Sequence, residues 1–276
     1  MRRLKRTHAL LGTALTAVLC GCVALPPNTK PAPHDPWESW NRGVYKVNDK
    51  LDRAVAKPLA RTYVRAVPQP ARTGVSNFLS NLHTTTVLVN DALQGKLKAA
   101  GNDFARLIVN TTIGFGGLLD PATRMGLDKN DEDFGQTLGH WGVPPGPFLE
   151  LPFLGPSDTR DGPARIVDIF TGPTHYIDNN WVAYGIYGVG LIDARADLLS
   201  LDAALQRVFD PYAFIRDAYL QRRAYLVSDG KVTDEELVDP GADDDTQAPA
   251  PTKSPPPAPP PAAPPPAKPA PSPPPD

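Results

Sequence analysis

The sequence predicts an all-α domain over residues 35–239, between an N-terminal targeting segment and a proline-rich tail. Apolar residues recur in this region at three- and four-residue spacing, as they do on one face of a helix. Clusters of glycine and proline divide the pattern into segments of helical length. One stretch near residues 147–155 lacks the helical pattern, and we expect a short β-hairpin or loop there.

Residues 1–21 predict a lipoprotein signal peptide. Four cations precede an apolar run over residues 9–19, and the small Gly21 comes directly before Cys22. This is the bacterial lipobox pattern, in which Cys22 becomes the acylated mature N-terminus. The apolar run is too short to span about 30 Å of hydrocarbon; an ordinary signal peptide or a short membrane anchor is the alternative. An aspartate directly after the acylated cysteine is the usual signal that retains a lipoprotein at the inner membrane, and this chain has Val23 there. The sequence therefore predicts attachment to the periplasmic face of the outer membrane of a Gram-negative bacterium.

Residues 22–34 are expected to link the acylated cysteine to the domain, and residues 240–276 to form a disordered tail. The tail holds about half of the 34 prolines and no apolar periodicity. It should therefore sample polyproline II and bury no core. The tail either has a function, as a spacer or as a binding segment for a periplasmic partner or the cell wall, or is an inert solvated tail.

Composition argues against two classes of protein. The formal net charge is −2, and no basic stripe with interleaved aromatic residues suggests a nucleic acid partner. Both cysteines, Cys20 and Cys22, lie in the signal region. The mature chain is therefore expected to form no internal disulfide, and its stability must come from packing or from the membrane.

Helices are predicted in order along the domain. The first runs over residues 39–58 with apolar residues on one face, and prolines at 68 and 70 punctuate the chain after it. The following helices are expected at residues 71–82, 85–93 and 97–110, and the glycine cluster at 114–117 ends the last of these. Residues 133–155 lack helical periodicity, with a hairpin or loop expected at 148–153. Helices resume at residues 158–170, 181–192 and 211–225, the last with proline at its start.

Residues 181–192 form the most apolar stretch of the domain, twelve residues without a charge. The stretch is too short to span a bilayer. It predicts either a core helix whose glycines allow close approach, or an interfacial helix that lies in one leaflet.

No constellation of residues predicts catalysis, so we expect a protein that is not an enzyme, without catalytic residue, metal site or cofactor. Residues 114–117 lack the Lys-Ser/Thr of a phosphate loop. Residues 128–133 lack the glycine and glutamate of a calcium loop and are expected to form a solvated loop. His140 is expected to be a buried, hydrogen-bonded core residue, and Arg160 with Asp161 or Asp158 to hold a helix start.

Spaced motifs across residues 35–231 resemble those of the VacJ (MlaA) family of outer-membrane lipoproteins. The motifs that carry the resemblance include Asp35, Pro36, Glu38, Asn41 and Arg42; residues 67–72; Phe134, Gly135, Thr137, Leu138, Gly139, His140 and Gly142; Arg160 and Asp161; and Asp210, Pro211 and Tyr212. The chain departs from the family pattern at Phe148, where the family often has tyrosine, and in its longer tail.

The resemblance implies a single ring-like or disc-like helical domain embedded in the inner leaflet of the outer membrane, beside a trimeric porin. Its channel would let phospholipids misplaced in the outer leaflet pass to a periplasmic lipid-carrier protein. Phospholipid, the outer membrane, the porin and the carrier are thus the expected partners, and nucleic acid is not. The alternatives are a structural lipoprotein that links the outer membrane to the cell wall through its tail, and a lipid hydrolase, against which the missing nucleophile–base pair argues.

The candidate site residues fall into three groups. Cys22 is the expected lipidation site. The resemblance favours the leaflet interpretation of residues 181–192, so the candidate channel or leaflet residues are Trp181, Tyr184, Gly185, Ile186, Tyr187 and Gly188. The candidate gating or structural residues are Asn41, Arg42, Arg160 and Asp161; for the first two, helix capping is the alternative.

Overall fold

A computed structural model describes residue 32 and residues 34–231. The predicted signal peptide (1–21), Cys22 and the predicted tail (240–276) lie outside the described residues, as does most of the predicted linker. The described part is mostly helical and contains one two-stranded sheet, which confirms the helical class and the hairpin.

The elements follow one another with short connections. The helices are α1 (Glu38–Leu51), α2 (Lys57–Ala66), α3 (Gln69–Leu93), α4 (Leu97–Thr112), α5 (Pro121–Arg124), α6 (Phe134–His140), α7 (Asp161–Thr171), α8 (Asn180–Asp197), α9 (Asp202–Leu205) and α10 (Pro211–Val227). A π-helical segment (Asp52–Ala56) joins α1 to α2, and 3₁₀ turns lie at Pro173–Tyr176 and Leu198–Leu201. The strands are β1 (Phe148–Leu151) and β2 (Gly155–Asp158).

The first helix does not end at Pro58, as the sequence suggested, but continues to Ala66. Proline lacks an N–H group, and its ring collides with the carbonyl four residues earlier in a regular helix. The π-helical segment Asp52–Ala56 comes directly before α2, in which Pro58 occupies the first turn. The wider π turn relieves this collision and lets the helical path continue.

The predicted break between residues 82 and 85 is also wrong, because α3 is one uninterrupted helix of 25 residues. The threonines at the junction of the two predicted helices bond back to the helix itself. The hydroxyl of Thr84 donates to the carbonyl of Ser80 at 2.9 Å, and that of Thr85 donates to the carbonyl of Leu82 at 2.8 Å. Hydroxyls satisfied in this way are compatible with a helix interior.

The short helix α6 lies in the stretch for which no helix was expected. Asp133 caps it, because its carboxylate accepts the N–H of Gln136 at 2.8 Å. Gly135 lowers helix propensity, but a Cβ there would lie 2.4 Å from a carboxylate oxygen of Asp161. The glycine is therefore required by the close approach of α7, which periodicity alone does not reveal.

The glycine cluster ends α4, as predicted. Gly117 has a φ of +92°, and a Cβ there would lie 2.5 Å from the Cβ of Asn81 on α3. Only glycine fits both the left-handed backbone and this contact. The turn returns the chain to α5 and leaves α3 packed along α4.

The hairpin is antiparallel, with Phe148 opposite Asp158 and Leu151 opposite Gly155. The N–H of Phe148 donates to the carbonyl of His34 at 2.8 Å, so the segment before α1 lies beside β1. The hairpin thus joins the beginning of the described chain to the start of α7.

Candidate functional site

The interior of the described domain is unusually polar. Phe148 and Val87 are among the largest fully buried side chains, but most of the others in that group are polar or charged: Asn41, Gln136, Asn90, Thr137, Asp35, Asp91, Asp103, Asp158 and Ser157. Buried polar groups are costly unless they are hydrogen-bonded. The domain must therefore be held together by specific polar contacts as much as by apolar packing.

Large apolar side chains lie on the outside instead. Phe115 is 76% exposed and Phe153 is 69% exposed, and Leu97 on α4 is 76% exposed. Exposed apolar surface of this kind is typical of a region that contacts lipid or another protein. The distribution is the reverse of that in a water-soluble globular domain.

Helix α8 carries this exposure over most of its length. Trp181, Tyr184 and Leu191 are 85%, 66% and 70% exposed. Asn179 caps the helix, because its side-chain oxygen accepts the N–H groups of Trp181 and Val182. Since its apolar residues face outward, α8 is not the core helix that was the alternative prediction.

The other candidate residues of α8 take the same position. Tyr187 is exposed, Ile186 is half-buried, and Cβ atoms added at Gly185 and Gly188 would meet nothing within 4 Å. These two glycines therefore make no close helix contact, contrary to the interpretation of a core helix. Only Ala183, Asp193 and Ala196 of α8 are buried.

The inner side of α8 is fixed through Asp193. Its carboxylate accepts hydrogen bonds from the Tyr63 hydroxyl of α2 at 2.9 Å and from the Ser76 hydroxyl of α3 at 2.6 Å. Burial, and then the bond to Asp193, raise the pKa of Tyr63 to about 12, so the hydroxyl remains a donor. The hydrogen bonds of Asp193 on the inner side of α8 and the exposed apolar side chains on its outer side define the orientation of the helix.

Within the described residues, no helix is both long enough and apolar enough to cross a membrane.

Asn41 lies at the centre of a polar cluster between α1, the hairpin and α10. Its Nδ2 donates to Asp35 at 2.7 Å and to the carbonyl of Phe148 at 3.1 Å, and its Oδ1 accepts the N–H of Glu150 at 2.9 Å. The side chain thus pairs with the hairpin and does not cap the helix. Asn41 is fully buried, so these bonds are shielded from water.

Arg42 connects the same region to α10. Its guanidinium forms a two-pronged pair with Asp210, at 3.1 and 2.6 Å, bonds Glu38 at 2.7 Å, and lies 4.5 Å from the ring centre of Tyr212. The hydrogen bond from Arg42 lowers the pKa of Asp210 below its ordinary value. These contacts hold α1 to the start of α10 and are not helix caps.

Asp35 completes this cluster from the segment before α1. It accepts a hydrogen bond from the Tyr212 hydroxyl and lies 3.4 Å from the guanidinium of Arg216. Burial, followed by the nearby Asp35 carboxylate, raises the pKa of Tyr212, which keeps the hydroxyl protonated. Asp35 and Tyr212 belong to motifs of the resemblance, but their sequence separation hid the contact between them.

Arg160 and Asp161 meet at the start of α7, as predicted, with Arg160 Nε 2.7 Å from Asp161. Asp161 also accepts the Tyr219 hydroxyl at 2.9 Å and lies 2.5 Å from Arg223 Nε on α10. Burial raises the pKa of Asp161, but its bond to Arg160 and the charge of Arg223 outweigh it, so the pKa lies below the ordinary value. Asp158 accepts the backbone N–H groups of Arg160 and Asp161 at 2.8 and 2.7 Å.

A second buried charge cluster, which the sequence did not reveal, lies where α3 meets α4. Asp91 is fully buried and both of its carboxylate oxygens lack a hydrogen-bond partner, while the buried Asp103 accepts from Asn130 at 2.8 Å. Lys96 bonds Glu132 at 2.8 Å at the edge of an open cavity of about 600 Å³. Burial, then Asp103 and Glu132, raise the pKa of Asp91 to about 7 against the opposing charge of Lys96.

Stability should therefore depend on pH through Asp91. Between the ordinary carboxyl pKa of 3.8 and about 7, the folded state holds a proton that the unfolded state has lost. The free energy of unfolding consequently falls as pH rises through this window, by about 1.4 kcal/mol for each pKa unit between the two states at most. Asp91→Asn should flatten the profile and raise stability at pH 8, measured by urea unfolding. The exposed Asp128→Asn serves as control. Glu150 and Asp158, whose pKa values are raised to about 7 and about 6, contribute slope in every variant, so a slope in Asp91→Asn equal to that of wild type would contradict this assignment.

Two further sequence expectations have clear outcomes. His140 is exposed at the end of α6, so its assignment to the core was wrong. Residues 128–133 are only partly a solvated loop, because Glu132 is buried and Asp133 binds Arg223 at 2.6 and 2.9 Å. Among the residues with described side chains, no group of three or more His, Cys, Asp or Glu is placed to hold a metal ion.

The domain is mostly helical, has a polar interior and an apolar exterior, and follows a lipobox in the sequence. These features define a membrane-associated bacterial lipoprotein. The chain belongs to the MlaA lipoprotein family, whose family model matches residues 33–226. It is 36% identical over 239 residues to the intermembrane phospholipid transport system lipoprotein MlaA of Escherichia coli K12, covering 85% of this chain and 93% of the relative. The corresponding lipoprotein of Haemophilus influenzae is 33% identical over 238 residues, covering 83% and 94%.

A solved structure is also similar. It comes from work on the structural basis for maintenance of bacterial outer membrane lipid asymmetry, and superimposes with a TM-score of 0.64 at 36% identity. The match covers 70% of this chain and 98% of the solved chain. The similarity therefore extends over nearly the whole of that chain, in fold as well as in sequence.

Proposed function

We propose that this chain is the outer-membrane lipoprotein of an intermembrane phospholipid transport system. It removes mislocalised phospholipids from the outer leaflet and passes them to a periplasmic lipid carrier, which maintains the lipid asymmetry of the outer membrane. Membership of the MlaA family supports this function. The observation that carries it is the outward-facing apolar surface, with α8 as its clearest part, around a polar interior.

The same surface supports a placement in the inner leaflet of the outer membrane. Exposed apolar side chains such as Trp181 and Leu191 lose contact with water when acyl chains surround them. A single acyl chain anchors only marginally. A triacylated Cys22, formed after removal of residues 1–21, would together with the apolar helices make the attachment effectively permanent. Residues 22–34 would then link the anchor to the domain, and Asp35 is where that linker reaches the polar cluster.

The route for lipid is proposed to be a channel within a ring-like domain. A headgroup phosphate is very costly to bury without partners, so its passage requires polar and charged groups in an otherwise apolar body. Membership of a family whose relatives are lipoproteins of an intermembrane phospholipid transport system supports such a route. A trimeric porin beside the domain and a periplasmic carrier below it are the proposed partners, and no nucleotide or other cofactor is invoked.

The decisive test is the amount of phospholipid in the outer leaflet of cells that lack this gene. Deletion is expected to raise surface phospholipid, wild type to correct it, and Cys22→Ala to fail, because the variant cannot be acylated and would lose its anchor. Immunoblotting of envelope fractions controls for the amount of protein. Unchanged asymmetry in the deletion strain would contradict the function, and full correction by Cys22→Ala would contradict the role of the anchor.

A structural lipoprotein that links the outer membrane to the cell wall is the second candidate, favoured by the proline-rich composition of residues 240–276. Truncation after Pro240 separates the two functions. Loss of envelope attachment with normal lipid asymmetry would favour the tether, whereas normal attachment leaves lipid transport as the function of the domain.

A further inference from the structure

The helical path from α1 to α2 carries a cation at every fourth residue: Arg53, Lys57, Arg61 and Arg65. The first two are neutralised by carboxylates. Arg53 lies 2.9 Å from Asp49, and Lys57 lies 2.8 Å from Asp202 on α9. The repeat therefore divides into a paired half and a second half, Arg61 and Arg65.

Arg61 and Arg65 are both exposed and, within the part of the chain that the structure describes, neither makes a hydrogen bond or an ion pair. No acidic residue occurs in the sequence from residue 53 to residue 90, so none is available nearby along the chain. Residues four apart on a helix lie on the same face, where like charges repel each other. The pair thus forms a concentrated positive site that the described residues do not neutralise.

The same helical path also exposes apolar residues at four-residue spacing: Val47, Leu51, Val55 and Leu59. Each is between 38% and 48% exposed. A helix that combines an exposed apolar row with unpaired cations is typical of one that lies at a lipid interface. The row and the cations occupy different sides of the helix, as in an interfacial helix whose apolar side enters the acyl region while its cations stay at the headgroups. An acidic protein partner would account for the cations but not for the exposed apolar row.

We propose that Arg61 and Arg65 form a binding site for the phosphate of an anionic phospholipid headgroup. The site rests on the proposed function, since it requires the domain to lie among lipids. Guanidinium groups suit this ligand because their planar fork makes paired hydrogen bonds to phosphate oxygens. The long, flexible side chains can extend their charges to the headgroups.

The test is native mass spectrometry of the purified full-length lipoprotein in detergent, titrated with phosphatidylglycerol or with phosphatidylcholine. Wild type should bind the anionic lipid more tightly. The double variant R61Q/R65Q should weaken binding of phosphatidylglycerol by about five-fold per arginine, or about 25-fold in total, and leave phosphatidylcholine unchanged. The matched control R53Q/R222Q removes two exposed arginine charges that are paired with Asp49 and Asp131, and should keep the preference.

Each outcome decides the proposal. Loss of the preference in R61Q/R65Q alone supports the site. Equal affinities in wild type and R61Q/R65Q overturn it and assign the cations to another partner, such as an acidic protein. If R53Q/R222Q also loses the preference for phosphatidylglycerol, the preference reflects net charge and the proposed site is overturned. Failure of wild type to bind either lipid would contradict the proposed lipid function itself, and the site with it.

Discussion

Leu191→Arg is expected to abolish the maintenance of lipid asymmetry while the domain remains folded. Leu191 is 70% exposed on α8, so its replacement should change the free energy of unfolding in water by no more than about 0.5 kcal/mol. In a leaflet the same substitution is costly. Insertion at the bilayer centre is favourable for leucine and unfavourable for arginine, and the two insertion free energies differ by about 3 kcal/mol. That difference corresponds to more than a hundred-fold in the population of the embedded state.

The experiment requires a folding control and a charge control. Gln221→Arg adds the same charge at an exposed position of α10, and should correct surface phospholipid as well as wild type does. Thermal unfolding of the purified proteins tests whether both variants are folded. If Leu191→Arg restored asymmetry as fully as Gln221→Arg, then α8 would not lie in lipid, and the leaflet placement would be wrong.

The sequence predicted α8 better than it predicted the role of α8. Twelve uncharged residues after a capping position indicate a helix, but apolarity is equally compatible with a protein core and with a lipid-facing surface. The distinction depends on which side the neighbouring helices occupy. Here the contacts of Asp193 with Tyr63 and Ser76 distinguish the two possibilities. They place one side of α8 against the neighbouring helices, so the other side lies at the surface.

The errors in the helix boundaries have a common physical source. Pro58 and Thr84 are local signals that disfavour a helix, and each is accommodated by a neighbouring feature, a π turn in the first case and a hydroxyl bonded to a backbone carbonyl in the second. Gly135 in α6 is explained by a contact with α7. The periodicity of apolar residues contains none of this information, and the contact of Gly135 also depends on residues distant in sequence.

The polar interior was the least predictable feature of the candidate site. Asp35 and Tyr212 are 177 residues apart, and nothing in their local sequences indicates that they meet. The motifs of the family singled out Asn41, Arg42, Arg160 and Asp161, and the pairing of Arg160 with Asp161 was predicted, but the partners of Asn41 and Arg42 were not. Motifs indicate which residues matter, whereas the fold determines that they hold the hairpin, α1, α7 and α10 together.

Asp161→Ala is expected to produce the largest loss of stability. Asp161 is nearly fully buried and neutralises Arg160 and Arg223, which are themselves largely buried. Without Asp161, Arg223 keeps its pair with Asp133, but Arg160 is left with Asp158 at 3.9 Å. Breaking a buried network of this kind typically costs about 3–5 kcal/mol. Asp217→Ala, on the same helix as Arg223, removes an exposed carboxylate paired with Arg216 at 2.8 Å and should cost about 1 kcal/mol or less.

Urea unfolding of the two alanine variants and of Asp161→Asn distinguishes charge from shape. The asparagine keeps an acceptor for the Tyr219 hydroxyl but not the negative charge, so its unfolding midpoint should lie between those of wild type and Asp161→Ala. Equal losses in Asp161→Ala and Asp217→Ala would mean that the buried network contributes no more than a surface pair. Since natural domains are stable by only about 5–15 kcal/mol, the expected loss would leave a substantial unfolded population, and the apolar exterior would make that population prone to aggregate.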